Sequence, residues 1–378
     1  MNLNALILCP DDKIMRVLRR VLSDLEVGIE NCTDADSAVR RLTRGRFEAV
    51  VVDCVDEAMA AKVLSSVRSA PCNKRAIAVA MIDGQKAVQS AFALGAHFVF
   101  YKPISYERAR TSFRAALALM KCERRRNVRV PIEFPVTLFA GADQQGITTL
   151  DISEGGMAVR VPRPARKSHG VRIKFTLPGT EHVVDCAAEV AWKNPGSQTG
   201  VRFLDLSREN RQQLKTWLAR HSPEIEPDDP PASCKLSDIS AGACYLEINA
   251  PFPARTRVVL TMRMGEQRFS ADGIVRVMHP EAGMGVEFTR HTEEQWAQTG
   301  KFVQAMQAGT ASPEFTVLPE GMEDEDISGT AEEAPPETDD PLLTLFRRSA
   351  EFTSETFREE LRTQRRAGSA SQAASAAG

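Results

Sequence analysis

The sequence predicts a multi-domain chain: an α/β doubly wound domain, two small antiparallel β-barrels each with a C-terminal helix, and a tail. Three observations carry this. Over residues 1–121, apolar strand-like runs alternate with helical patterns, as in a parallel sheet covered by helices. Over 122–221 the runs are short, β-branched or alternating, and are separated by Gly, Pro or Asp, as in a small barrel. Over 232–306 the same pattern returns at nearly constant spacing, as a duplicated domain would produce. Residues 307–378 remain as the tail.

A length of 378 residues suits two or three domains, and a hydrophobic content of 43% can fill their cores. The net charge of −2 argues against a sequence-specific nucleic-acid partner, so an anion site would have to be local. The eight cysteines form no C-x-x-C and have no histidine cluster beside them, which argues against zinc. They scatter through apolar runs, as free thiols do in a reducing compartment. The chain opens directly on a short strand-like run, and no apolar run reaches the ~20 residues that span a bilayer. The expected location is cytoplasmic.

In the first domain Ala5–Cys9 reads as a buried strand and Lys13–Leu25 as an amphipathic helix. Further strand-like runs are Phe47–Val52, Ala76–Met81 and Phe98–Phe100. Sites in such sheets lie at the carboxyl ends of the strands. Those ends carry Asp11 and Asp12, then Asp53, then Lys102-Pro103. Clustered carboxylates there suit Mg²⁺, and a lysine suits an added phosphoryl group. The stretch resembles the receiver domain of two-component response regulators. The resemblance implies Asp53 as phosphoacceptor, Asp11 and Asp12 as its acid pair holding Mg²⁺ with it, Lys102 as the switch lysine, and a histidine kinase as partner. The sequence departs from that family at Ile82, where receivers carry Thr or Ser, at Val99, where they carry an aromatic, and at Pro10, which disturbs the register of the acid pair. The other reading is a module kept for docking or dimerisation.

The second domain opens on Arg125-x-x-x-Arg129 and continues through Asp151-x-Ser153-x-x-Gly156. Guanidinium groups fork onto phosphate oxygens and onto guanine O6 and N7. Asp and Ser on alternate residues of a strand end project to one side. The pair of motifs, in this order, resembles the PilZ family of cyclic di-GMP receptors over about 122–220, ending in Gly200-Val-Arg-Phe203 and a helix. The resemblance implies that Arg125 and Arg129 contact ligand phosphate and guanine, that Asp151 and Ser153 face a guanine edge, and that Gly156 gives clearance; no cofactor is required. Arg163, Arg166, Lys167 and His169 form a hairpin tip that is either an extension of the phosphate rim or a solvated loop. Leu214, Trp217 and Leu218, at helical spacing after Ser207, read as a helix plugging one barrel end.

In the repeat, Asp238-Ile-Ser240-Ala-Gly242-Ala243 echoes the first copy, Gly285-Val-Glu-Phe288 echoes Gly200-Val-Arg-Phe203, and Trp296 echoes Trp217. No arginine pair precedes it in Pro223–Ala232, so this degenerate PilZ-like barrel is expected to be structural or dimerising. Gly309–Asp340 has the composition of a disordered segment. Near 341–363, Leu342, Leu343, Leu345, Phe346, Phe352, Phe357 and Leu361 give an amphipathic helix, for which a partner protein, a membrane surface and a barrel of the same chain are all open as the surface it meets. The whole reads as a non-enzymatic cyclic di-GMP effector with a downstream protein partner and a homodimer as an open option. The alternatives are a phosphorylation-driven response regulator and a protein-interaction scaffold.

Overall fold

The computed structural model describes residues 3–70, 72–141, 143–161, 170–194, 197–222, 229–289, 293–308, 313–323, 340–349, 352–353 and 355–363. The hairpin tip with Arg163, Arg166, Lys167 and His169 lies outside them, as do most of 309–340 and all of 364–378. Two compact units emerge, one of residues 121–228, the other of 2–120 together with 229–378.

The chain begins with β1 (Leu3–Leu8), α1 (Asp12–Asp24), β2 (Val27–Cys32), α2 (Ala35–Arg44), β3 (Ala49–Asp53), α3 (Glu57–Ser69), β4 (Ile77–Ile82), α4 (Val88–Ala93), β5 (Phe98–Tyr101) and α5 (Tyr106–Asn127). The strand order is β2-β1-β3-β4-β5 and every pair is parallel, as in a doubly wound, receiver-like domain. Strand alternation sorts side chains to two layers. Ala5, Ile7, Val51 and Val79 meet Met15 and Leu18 of α1 and Phe113 and Ala116 of α5. Leu6, Leu8, Val50 and Val52 meet Ala38 and Leu42 of α2 and Ala60 and Val63 of α3. Asp11, Asp34 and Asp56 cap α1, α2 and α3, each accepting backbone N–H bonds from the first turn. Strand β2 has no apolar run because it is an edge strand, buried only at Val27 and Cys32.

The unit of residues 121–228 is built on β6 (Val130–Pro131), β7 (Pro135–Ala140), β8 (Asp143–Ser153), β9 (Gly156–Arg160), β10 (Val171–Thr176), β11 (Val183–Lys193), β12 (Gln198–Asp205) and α6 (Arg208–His221). Six of these strands form the ring β8-β7-β10-β11-β12-β9, closed by pairing of β8 with β9; β6 pairs with the end of β8 on the edge that β7 also uses. Val136, Ile152, Met157, Ile173, Val184 and Val201 fill it, and Leu214, Trp217 and Leu218 of α6 plug one end, as expected.

The second barrel comprises β13 (Ala232–Ile239), β14 (Ala243–Glu247), β15 (Thr256–Met264), β16 (Gln267–His279), β17 (Gly283–Phe288) and β18 (Glu314–Met322), with α7 (Glu293–Ala308) between the last two. Its closed ring runs β13-β14-β17-β16-β15-β18. The sixth strand therefore comes from beyond residue 306, inside the stretch expected to be tail. Strand for strand this ring matches β8-β9-β12-β11-β10-β7 of the first barrel. There β7 precedes β8, whereas β18 follows α7: the second barrel is a circular permutation of the first. Composition predicted disorder across Glu314–Met322, and the structure corrects this: the segment is a strand because it pairs with β13 and β15, 83 and 53 residues back by the register pairs Ser233↔Thr316 and Met262↔Phe315, and nothing local announces those partners. Trp296 is 56% exposed and does not repeat the buried Trp217; Phe302 of α7 fills the barrel instead, against Phe288 and Phe315.

The same unit joins this barrel to the α/β domain. One apolar cluster contains residues of both, and Arg108 of α5 makes a bidentate ion pair with Glu281 at 2.6–2.7 Å. The C-terminal segment docks on the barrel: α8 (Pro341–Arg347) and a helical stretch over 355–363 bury Leu342, Leu345, Phe346, Phe357 and Leu361 against Ala243, Tyr245 and Val277. Of the three surfaces open to the amphipathic segment, a barrel of the same chain is the one it meets. No helix among the described residues is long and apolar enough to cross a membrane.

Candidate functional site

In the first barrel the two motifs converge. The Nη1 of Arg129 lies 2.5 Å from Oδ1 of Asp151, which also accepts the N–H of Ala158 at 3.3 Å. Arg129 stays 45% exposed and can turn to a ligand. Arg125, in the last turn of α5, is buried; its Nε lies 3.7 Å from Oε2 of Glu154, whose Oε1 lies 3.5 Å from Nζ of Lys215 on α6. The Nη2 of Arg125 donates to Sγ of Cys122 at 3.2 Å. Glu154 and Lys215 were not singled out in the sequence. Glu154 falls at a variable position inside the Asp-x-Ser motif, and Lys215 reads as one more polar residue of a surface helix.

Ser153 and Gly156 do not present groups to solvent. The Ser153 hydroxyl is buried and donates to the carbonyl of Gly156 at 3.1 Å, tying the β8–β9 turn. A Cβ on Gly156 would run into the carbonyl oxygen of Val201 on β12, so the glycine gives clearance to a neighbouring strand rather than to a ligand. The turn bond recurs in the second barrel, where Ser240 donates to the Ala243 carbonyl at 3.2 Å. The serine is thus common to both copies, and the Arg129–Asp151 pair belongs to the first alone. Because of the permutation, the place equivalent to the arginine segment is the approach to β18, not Pro223–Ala232; Gly309 to Pro313, which lead into β18, contain no arginine either.

Register places Asp151, Ala158, Gly200 and Trp192 in one row across β8, β9, β12 and β11. Opposed residues share a face, and the ring of Trp192 lies across Gly200 while remaining 42% exposed. Arg202 on the same strand as Gly200 pairs with Glu189 at 2.9 Å. Trp192 is an exposed aromatic that an alternating strand hides in the sequence, since only the register reveals its neighbours.

The model of one family, the PilZ domain, matches residues 123–220 and again 219–305. The chain is a PilZ-domain protein. The tandem PilZ domains follow the receiver-like region. Among solved structures, the PilZ domain of CeSA from a cellulose-synthesizing bacterium is 22% identical, over 25% of this chain and 99% of that one, with a TM-score of 0.22. The receiver domain of a sensor histidine kinase of Pseudomonas aeruginosa PAO1, solved with a coordinated magnesium ion, is 17% identical over 31% of this chain and 98% of that one, with a TM-score of 0.28. A chemotaxis response regulator of Vibrio cholerae is 18% identical over 31% of this chain and 99% of that one, with a TM-score of 0.29. None of the curated proteins matches the sequence.

In the receiver-like domain of this PilZ protein the strand ends are only partly assembled. Lys102 reaches Asp53, Nζ to Oδ1 at 2.5 Å, and Asp53 also accepts the N–H of Val55 at 3.2 Å. Asp11 turns to α1: its Oδ1 accepts from Lys13 N at 2.7 Å and Ile14 N at 3.3 Å, bonds that hold its carboxyl below the usual range. Asp12 is exposed in the first helical turn. The expected acid pair thus does not converge on Asp53, because Asp11 is the N-cap of α1 and Asp12 its first residue. Among the described residues no group of three or more His, Cys, Asp or Glu is placed to hold a metal. With the Asp11 carboxylate engaged by α1 and the Lys102 ammonium on Asp53, these residues do not fit Mg²⁺. Ile82 is buried and offers no hydroxyl. Cys9, 3.8 Å from Asp53, has its thiol pushed up to about 11 by burial.

Proposed function

We propose that this PilZ protein is a cyclic di-GMP effector without catalytic turnover, and that the first barrel is its receptor. The observation that carries the reading is the Arg129–Asp151 pair on the rim of the first barrel, 2.5 Å apart, with Arg125 four residues earlier in α5. Arg129 is exposed enough to exchange Asp151 for a ligand phosphate, and a guanidinium binds phosphate bidentately. Arg125 has to leave Glu154 to do the same. Glu154 then keeps Lys215 as counter-charge, so releasing Arg125 does not strand a buried carboxylate. Asp151, freed of Arg129, gains an acceptor oxygen for a guanine N–H edge. The second barrel has no arginine at the equivalent place and binds no nucleotide.

The receiver-like domain works in this reading through its contacts, with no step routed through a phosphoryl group or a metal. The downstream partner is a protein that recognises the ligand-bound state.

Isothermal titration calorimetry of the full chain with cyclic di-GMP tests the proposal. Each lost charge-assisted hydrogen bond should cost about 1.5–3 kcal/mol, so Arg125→Ala or Arg129→Ala weakens binding about tenfold or more. A double variant that titrates like the parent rejects the site.

A further inference from the structure

The two barrels carry the same outer row. Asp151, Ala158, Gly200 and Trp192 of the first correspond by register to Asp238, Tyr245, Gly285 and Val277 of the second. In the first barrel the row ends in an exposed tryptophan lying over its glycine. In the second, valine is too small to cover Gly285, and the ring of Phe346 from α8 lies there instead. The turn is occupied as well: the N–H of Gly242 donates to Oδ2 of Asp340 at 2.8 Å, while Oδ1 of the same carboxylate caps α8 through Leu342 N and Leu343 N. Farther along, Phe357 packs on Tyr245 at 5.5 Å and on His279 at 4.5 Å between ring centroids. The face that bears the ligand motif in one barrel is covered in the other by the chain's own C-terminal segment.

We propose that the second barrel is a peptide-binding module, and that its ligand is an acid-capped, Leu- and Phe-rich segment supplied in cis by residues 340–349 and 355–361. Asp340 supplies the anchor to the turn, Phe346 fills the notch over Gly285, and Phe357 closes against Tyr245. The segment is a ligand rather than scaffold because the six-stranded ring closes without it. Strand β18, by contrast, is part of the ring. The face that carries the arginine motif in the first barrel carries, in the second, an amphipathic peptide with one carboxylate. This does not depend on nucleotide binding by the first barrel.

The test uses the full chain and a fluorescent synthetic peptide of residues 338–363, read by anisotropy. In the parent the cis segment competes. In the full-length double variant Leu342→Ser/Phe346→Ser it is weakened, and the labelled peptide should bind saturably and at least tenfold more tightly than to the parent. Peptides carrying Phe346→Ala or Asp340→Ala should lose at least tenfold. Calorimetric unfolding of the double variant is the control for folding. A variant that stays folded but does not take up the peptide overturns the proposal. So does a variant that loses the transition shared by the second barrel and the receiver-like domain, since the segment would then be part of the core, and so does one that takes up a second equivalent of cyclic di-GMP in place of the peptide.

Discussion

At the scale of single residues, the same letter does different work in the two copies, and contacts decide which. Gly156 is fixed by the approach of the β12 backbone. Gly156→Ala should therefore destabilise the first barrel by at least about 1–3 kcal/mol, seen as a lower urea midpoint in the absence of ligand; a variant that loses affinity at unchanged stability would return the glycine to a role in ligand clearance. His279 is a titratable residue under the C-terminal segment, beside Tyr245. Its Nδ1 lies 3.0 Å from the Tyr245 hydroxyl, and burial, aided by Arg358, pushes its pKa down from 6.5 to about 4. The folded form binds the proton less well than the unfolded form, so between those two values stability rises with pH. The contribution is fully present above about 6.5 and is lost as pH falls toward 4, by about 2–3 kcal/mol. Thermal melts of the second barrel from pH 7 to pH 4 should follow this slope, and His279→Gln should flatten it.

At the scale of elements, β18 is the decisive strand. Val317 is fully buried and lies opposite Ala232 on one side and Leu260 on the other. Val317→Asp puts an unpaired carboxylate in the barrel, which costs about 3–5 kcal/mol. Urea unfolding should show the transition that the second barrel shares with the receiver-like domain lost or shifted strongly down, with that of residues 121–228 unchanged. A small effect would mean that the ring tolerates an open edge between β13 and β15. Two-residue periodicity located the strands of the first barrel, because each presents one face to a core, and motif echoes marked the return of the pattern in the second. It missed β2, whose edge position removes the apolar run. It missed β18 as well, which lies in a stretch whose composition predicted disorder, because pairing partners far along the chain leave no local mark.

At the scale of the molecule, the receiver-like domain and the second barrel share an apolar cluster and the Arg108–Glu281 pair, while residues 121–228 form the other unit. A shared core unfolds as one cooperative unit. Differential scanning calorimetry of the full chain should therefore give two transitions. Cyclic di-GMP at a hundred times its Kd should stabilise the one belonging to residues 121–228 by about 2.7 kcal/mol and leave the other in place. A single transition, or a ligand shift of both, would contradict this division.

The order of residues by itself determined the alternation of strand and helix before residue 121, the twofold barrel pattern, and the pairing of Arg125-x-x-x-Arg129 with Asp151-x-Ser153. These are local: periodicity and turn residues act within one element, and a motif is a spacing. Tertiary structure alone decided the rest. It turned Asp11 onto α1 and away from Asp53, set Glu154 and Lys215 behind Arg125, made β18 the sixth strand, and laid Phe346 on Gly285. Each of these depends on which distant segment packs opposite. That choice is made by register, closure of the hydrogen-bonded ring and burial of the remaining apolar faces, none of which is a property of any one stretch of sequence.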